Sequence, residues 1–172
     1  MKEIILKHLK LFWAISFVIL MITFILAIDK LPTHCAVQFD LKGNVTMWWA
    51  KDNFILIFGA IIIGVNGFFA ILASPLVQRI PICLITLPFK KRWLKLKLGE
   101  ELYCERVREI VSFPPIFANT VLFLSIDAIM YGNGVFRVFT FSPNTAGIIM
   151  GITMVIMLGG MIYYSIPPKD EE

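Results

Sequence analysis

Four long hydrophobic runs limit what this chain can fold into. They cover residues 11–28, 54–77, 111–131 and 145–166. Each is close to the length of about 20 mostly apolar residues that a helix needs to cross a bilayer. Overall, 58% of the residues are hydrophobic and 16% charged, against about 25% charged in typical soluble domains. The sequence therefore predicts an all-α integral membrane protein, in which residues 1–172 form one bundle of four transmembrane helices.

The first run resembles the hydrophobic part of a signal peptide, because Lys2, Lys7 and Lys10 precede it. However, 18 uncharged residues, from 11 to 28, exceed the 7–15 of such a region, and no A-x-A-like cleavage site follows. We expect a retained helix.

Basic residues in the connecting segments predict the orientation. Residues 78–110 contain eight Lys and Arg, and three lysines precede the first run. Because cytoplasmic loops are enriched in Lys and Arg, both termini and residues 78–110 should be cytoplasmic. Residues 29–52 should then lie outside the cell membrane. Basic loops beside anionic lipid explain the net charge of +4, so we expect no nucleic-acid partner.

The basic segment ends in a helical pattern. Tyr103, Val107 and Ile110 recur on one face at i, i+4 and i+7, which indicates an amphipathic helix. Such a helix can lie on the inner leaflet, or residues 78–110 can dock a cytosolic regulator.

Three polar side chains fall inside the predicted spans. Asn66 and Asn119 have similar predicted depths, and buried amides commonly form hydrogen bonds between membrane helices. Alternatively, the two amides line a transport path. Asp127 is the one ionisable residue within a predicted span, which makes it a functional candidate. Its position near the outer end also fits a carboxylate at the headgroup boundary.

Small residues predict close helix packing. Gly147 and Gly151 form a G-x-x-x-G pattern in the fourth span, and Gly159 extends the same face. The approach can occur within the bundle or between copies, so the oligomeric state stays open.

Residues 29–52 have the pattern of a compact, hairpin-like excursion. Val37 and Phe39 alternate with polar positions, and Gly43-Asn44 is a turn signal. Trp48 and Trp49 then suit the return to the membrane interface.

The same segment contains the spacing L-P-x₅-[Q/H]-F-[D/N]-x₂-G-x₄-W-x₂-K. It is formed by Leu31, Pro32, Gln38, Phe39, Asp40, Gly43, Trp48 and Lys51. This resembles the domain of unknown function 1648 family, a bacterial and archaeal membrane module whose usual form is L-P-x₃-P-x-H-F-N-x₂-G-x₄-W-x₂-K. The family includes Sdp-type immunity proteins, which protect a cell from a secreted killing factor. In the founding system the protein also holds a repressor at the membrane.

Three departures bear on what the resemblance implies. Ala36 stands at the second family proline, Gln38 at the usual histidine and Asp40 at the usual asparagine. A metal-binding or ionisable role of that histidine would therefore not carry over. We interpret the segment as a folded structural or recognition loop.

The resulting functional hypothesis is a membrane protein of the immunity or signal-sensing type. Its expected partners are the lipid bilayer, an extracellular peptide and a cytosolic regulator at residues 78–110. The alternative is a small transporter or channel subunit. No catalytic motif such as H-E-x-x-H or G-x-S-x-G occurs, and no Cys or His pair has metal-ligand spacing. We expect no enzyme activity, no metal and no cofactor.

Overall fold

A computed structural model describes residues 2–40, 44–74, 88–95, 99–135 and 143–167, with side chains from residue 8 onwards and, in the last segment, from residue 145. The chain is mostly helical. In order, its elements are α1 (Lys2–Lys30), β1 (His34–Phe39), β2 (Val45–Ala50), α2 (Lys51–Leu72), α3 (Lys90–Trp93), α4 (Gly99–Ile110), α5 (Phe113–Gly132) and α6 (Pro143–Ser165).

Four helical segments are long and apolar enough to cross a membrane. They are His8–Lys30, Lys51–Leu72, Gly99–Gly132 and Thr145–Ser165. The third takes in α4 and α5, which a turn at residues 111–112 separates. Large apolar side chains cover the outer faces, and Leu56, Ile63 and Val155 are each more than 70% exposed. Such faces suit a lipid environment, because a lipid chain is as apolar as a leucine side chain.

Helix α5 lies at the centre, since α1, α2, α6 and β1 all pack against it. Its second and third residues are Pro114 and Pro115, within the first turn. Proline is tolerated there because the first N–H groups of a helix have no partner within the helix. Leu124, Ile126 and Met130 are buried along its length.

The bundle has two ends with different structures. At the hairpin end, β1 and β2 rest on a core that includes Leu20, Phe54 and Ile129. At the opposite end, which we call the terminal end, Leu9 of α1 packs with Tyr164 of α6. Helix α1 begins and helix α6 ends at this end of the bundle.

Three predicted features need correction. The prediction of an all-α chain misses the sheet formed by β1 and β2. Helix α1 extends at both ends beyond the predicted span of residues 11–28. Helix α2 ends at Leu72, not at residue 77, because the chain turns at residues 73–74. Residues 75–87, and with them part of the predicted basic loop, lie outside the described residues.

The amphipathic helix is confirmed as α4, but its apolar face has a different neighbour from the one expected. Tyr103, Val107 and Ile110 are buried. Tyr103 and Val107 pack with Trp93 of α3, and Ile110 joins the core at the terminal end. The chain itself therefore covers Tyr103, Val107 and Ile110 on this face.

Candidate functional site

The two strands pair in an antiparallel register that can be assigned residue by residue. His34 lies opposite Ala50, and Ala36 lies opposite Trp48. Just before the first pair, the Lys51 N–H donates to the Thr33 carbonyl at 2.8 Å. Antiparallel pairs alternate between hydrogen-bonded and non-hydrogen-bonded. The Ala36–Trp48 pair is therefore non-hydrogen-bonded, and the N–H and C=O groups of both residues point away from the shared ladder.

Strand β1 is the inner strand of the hairpin. Cys35 and Ala36 are fully buried, although strict alternation would bury only one of two neighbours. The register shifts between Ala36 and Gln38, which leaves Val37 as an extra residue in a bulge. Val37 then packs against the core at the hairpin end.

Asn133 fixes the outer edge of β1 to the end of α5. Its side-chain oxygen accepts a hydrogen bond from the Ala36 N–H, and its side-chain nitrogen donates to the Ala36 carbonyl, both at 2.9 Å. The amide thus satisfies the two groups that a third strand would otherwise satisfy. The same nitrogen also donates to the Ile129 carbonyl, which orients the side chain.

A glycine allows a second close contact between hairpin and helix. A Cβ atom added at Gly132 would overlap the Phe39 ring. Any larger residue at this position would displace that ring, and Phe39 lies directly on the last turn of α5. Together with Asn133, this contact holds β1 at a fixed position.

The remaining residues of the family-like spacing shape the loop. The Asp40 carboxylate accepts hydrogen bonds from the backbone and side-chain N–H groups of Asn44, at 2.8 and 2.9 Å, and so closes the turn. Leu31 is buried in the core, whereas Pro32 and Gln38 are exposed. Gly43 lies outside the described residues.

Strand β2 carries the exposed surface of the hairpin. Trp48 is 60% exposed and Met47 is 43% exposed. Trp49, on the opposite face, packs partly against the core. A solvent-exposed tryptophan on a fixed scaffold is the type of residue that dominates many protein-binding surfaces. We call the exposed residues 46–48 and 50 the β2 surface.

The hairpin holds no metal-ligating cluster among its described residues. Burial raises the pKa of the Cys35 thiol, which keeps it protonated and unreactive at neutral pH. No group of three His, Cys, Asp or Glu side chains suited to a metal occurs in the described part of the chain.

The two predicted intramembrane amides meet between the ends of the bundle. The Asn66 side-chain nitrogen donates to the Asn119 oxygen at 2.8 Å, and Asn119 donates back at 3.1 Å. The indole N–H of Trp13 also donates to the Asn66 oxygen, at 2.8 Å, and Asn119 donates to the Ser16 hydroxyl. We call these four residues the amide network; it joins α1, α2 and α5.

A cavity of about 240 Å³ lies beside this network. Its lining residues are Ser16, Ile19, Asn119, Thr120 and Phe123. The Thr120 hydroxyl donates to the Ile116 carbonyl of its own helix. The cavity is therefore mostly apolar and sits against amides that are already hydrogen-bonded to one another.

The other predicted site residues are not part of one site. Asp127 is fully buried within the bundle. Gly147, Gly151 and Gly159 meet no atom within 4 Å of an added Cβ. They therefore do not bring α6 close to another described helix.

The sequence alone did not identify several residues that position the site. Asn133 is one of them, and Trp13 of the amide network is another. Trp93 is a third: it is buried, and its indole N–H donates to the Ser165 carbonyl at 2.7 Å. For Trp13, the sequence did contain a signal. Its indole N–H donor lies three residues before Ser16, on the same face of a helix that must bury one face.

These observations define a class: a mostly helical chain with four helices capable of spanning a membrane, and a hairpin fixed to the central helix. Searches of protein-family models, curated proteins and solved structures return no match to this chain.

Proposed function

We propose that this chain is a multi-pass membrane protein of the immunity or signal-sensing type, with the hairpin outside the cell as its recognition element. One observation carries the proposal: β1 is fixed to α5 by Asn133, while Trp48 on β2 remains 60% exposed. A recognition surface benefits from this arrangement, because a scaffold that is already ordered loses little conformational entropy on binding. The partner is a secreted peptide with apolar side chains.

The resemblance of residues 31–51 to the domain of unknown function 1648 family supports the same function. The residues that the spacing shares serve the hairpin: Asp40 closes its turn and Phe39 packs on Gly132. Trp48 has no comparable packing role, because most of its surface is exposed. Packing within the hairpin therefore does not explain Trp48, whereas contact with the membrane interface or with a partner does.

The alternative of a transporter or channel subunit receives less support. It relies on Asn66, Asn119 and Asp127 as polar groups along a path. Asn66 and Asn119 donate to each other, which is the arrangement expected of interhelical hydrogen bonds. Flux through proteoliposomes that is lost in Asp127→Asn would favour transport over recognition.

Deleting the gene in its source strain tests the proposed function. The deletion strain should lose growth in concentrated medium from a dense culture of the same strain, or derepress a neighbouring gene. Wild-type protein should restore growth in this medium and repression of the neighbouring gene. Trp48→Ala should shift the protective response by roughly 30-fold, the effect of losing a tryptophan hot spot. Asn53→Ala, at an exposed residue outside the β2 surface, should restore protection. Equal growth and equal expression with and without the gene would overturn the proposal.

A further inference from the structure

The two edges of the hairpin differ in how their backbone groups are satisfied. On β1, the outward N–H and C=O of Ala36 both bind Asn133. On β2, the alternation of the ladder directs the N–H and C=O of Trp48 outward in the same way. Within the described residues, no hydrogen bond reaches these two groups of Trp48. The β2 edge is therefore the open edge of the sheet.

Ala50 adds a further outward donor to this edge. It lies opposite His34, two residues after Trp48, and so belongs to another non-hydrogen-bonded pair. Its φ of −63° and ψ of 142° are those of an extended residue. Its N–H therefore stays in the plane of the sheet and points away from β1. Trp48 and Ala50 thus present donors at the spacing of alternate residues on one strand.

We propose that the β2 edge binds an extended peptide by strand addition. The peptide pairs with the N–H and C=O of Trp48 and with the N–H of Ala50, and an apolar side chain of the peptide contacts the Trp48 indole. The open backbone groups favour this occupant, because an extended chain satisfies a sheet edge whereas a helix does not. This proposal rests on the proposed function, and it specifies how the secreted peptide is held.

The backbone of Ala50 permits a selective test. Its φ of −63° matches the fixed φ of proline, about −65°, and Trp49 before it is in a strand, as the residue before proline prefers. Ala50→Pro therefore removes an outward donor and places a ring at the edge without breaking the ladder. Ala50→Ser is the matched control, because it keeps the N–H and suits the start of α2.

The first experiment uses the full chain in lipid nanodiscs. The probe is a fluorescein-labelled peptide of alternating Val and Thr, about ten residues long, a length that covers a typical strand. We expect anisotropy to show binding to wild type and Ala50→Ser, and at least roughly tenfold weaker binding to Ala50→Pro. The same peptide with N-methylated alternate residues should bind as weakly. Absent binding to wild type beyond that of empty nanodiscs, or equal binding to Ala50→Pro, would overturn the proposal.

Hydrogen exchange in the same nanodiscs separates the peptide from a second copy of the chain. The Trp48 amide should exchange rapidly in the free protein and slowly with the peptide bound. Slow exchange without peptide that Ala50→Pro relieves would show that another copy, or another part of the chain, covers the edge. Unchanged slow labelling of buried Cys35 by maleimide verifies that the proline variant is folded.

Protection of cells then distinguishes the two proposals. If Ala50→Pro protects the deletion strain as well as wild type does, strand addition is wrong and the proposed function stands. If wild type itself gives no protection, the proposed function is wrong. The nanodisc measurements then still show whether the β2 edge binds an extended peptide. Loss of protection in Ala50→Pro but not in Ala50→Ser supports both.

Discussion

The two ends of the bundle contain similar elements but differ in how far they bury their tryptophan. Each end has an amphipathic element and a tryptophan outside the long helices. At the terminal end, α4 turns its apolar face onto the bundle, and Trp93 is only 3% exposed. At the hairpin end, β1 is packed in the same manner, but β2 leaves Trp48 60% exposed.

The difference shows where binding surface remains. The indole N–H of Trp93 donates to the Ser165 carbonyl, and the Arg106 guanidinium lies over its ring, so this side chain serves the fold. Trp48 has an exposed ring beside an open strand edge. Of these two tryptophans, Trp48 is therefore the one whose ring stays available for contact outside the chain.

The largest expected effect comes from removing the buried tryptophan. Trp93→Ala should lower the free energy of unfolding by about 3–5 kcal/mol, since it leaves a cavity under α4 and removes a buried hydrogen bond. Thermal and denaturant unfolding of the purified protein in detergent measure the change. Trp48→Ala is the matched variant and should change stability by less than about 1 kcal/mol. Similar losses for both variants would contradict the distinction between the two ends.

The next effect concerns the attachment of β1. Asn133→Ala removes both hydrogen bonds to Ala36 and leaves that buried backbone without partners, so we expect a loss of about 2–3 kcal/mol. Local unfolding of the hairpin should appear as faster hydrogen exchange at Ala36 and faster maleimide labelling of Cys35. Asn53→Ala serves as the control, because Asn53 is exposed on the first turn of α2. Labelling of Cys35 that is equally slow in both variants would argue against the attachment.

The coarse fold could be predicted because hydrophobic length and proline position are local signals. The spans at residues 111–131 and 145–166 nearly coincide with α5 and α6, and Pro114-Pro115 marks the start of α5. The hairpin was indicated by the alternation of Val37 and Phe39 and by the turn at Asn44. Its bulge was not, since an extra residue in a strand becomes evident only once the partner strand is in register.

The contacts between distant elements could be predicted only in part. The pairing of Asn66 with Asn119 followed from depth alone, because each helix rises about 1.5 Å per residue. The role of Asn133 depends on where β1 lies relative to α5, and no local pattern encodes that. Likewise, Tyr103, Val107 and Ile110 revealed an apolar face on α4 but not its neighbour. Such a face suits lipid, a partner or the chain's own core.

A double-mutant cycle measures how strongly the paired amides join α2 to α5. Asn66→Leu and Asn119→Leu should each destabilise the protein, and their coupling should be about 0.6–1.7 kcal/mol, the range for hydrogen bonds between membrane helices. Detergent unfolding of the single and double variants gives the value. The control pairs Asn66→Leu with Thr153→Val, because the Thr153 hydroxyl donates within α6 to the Ile149 carbonyl. Additivity in the Asn66–Asn119 cycle would mean that the amides do not stabilise each other.

The smallest expected change in stability comes from replacing either of two glycines of α6 by alanine. Gly151 meets no atom within 4 Å of an added Cβ, whereas at Gly160 that atom would lie 3.3 Å from the Phe113 ring. Gly151→Ala should therefore stabilise the dilute protein by up to about 1 kcal/mol through helix propensity. At Gly160, crowding against Phe113 should cancel most of the same gain. Unfolding at several protein-to-detergent ratios decides between an open face and a face that packs on another copy. A destabilisation by Gly151→Ala that grows with protein density would show that the stripe is a helix-packing surface between copies, and that the hairpin is not the bundle's sole surface for a partner.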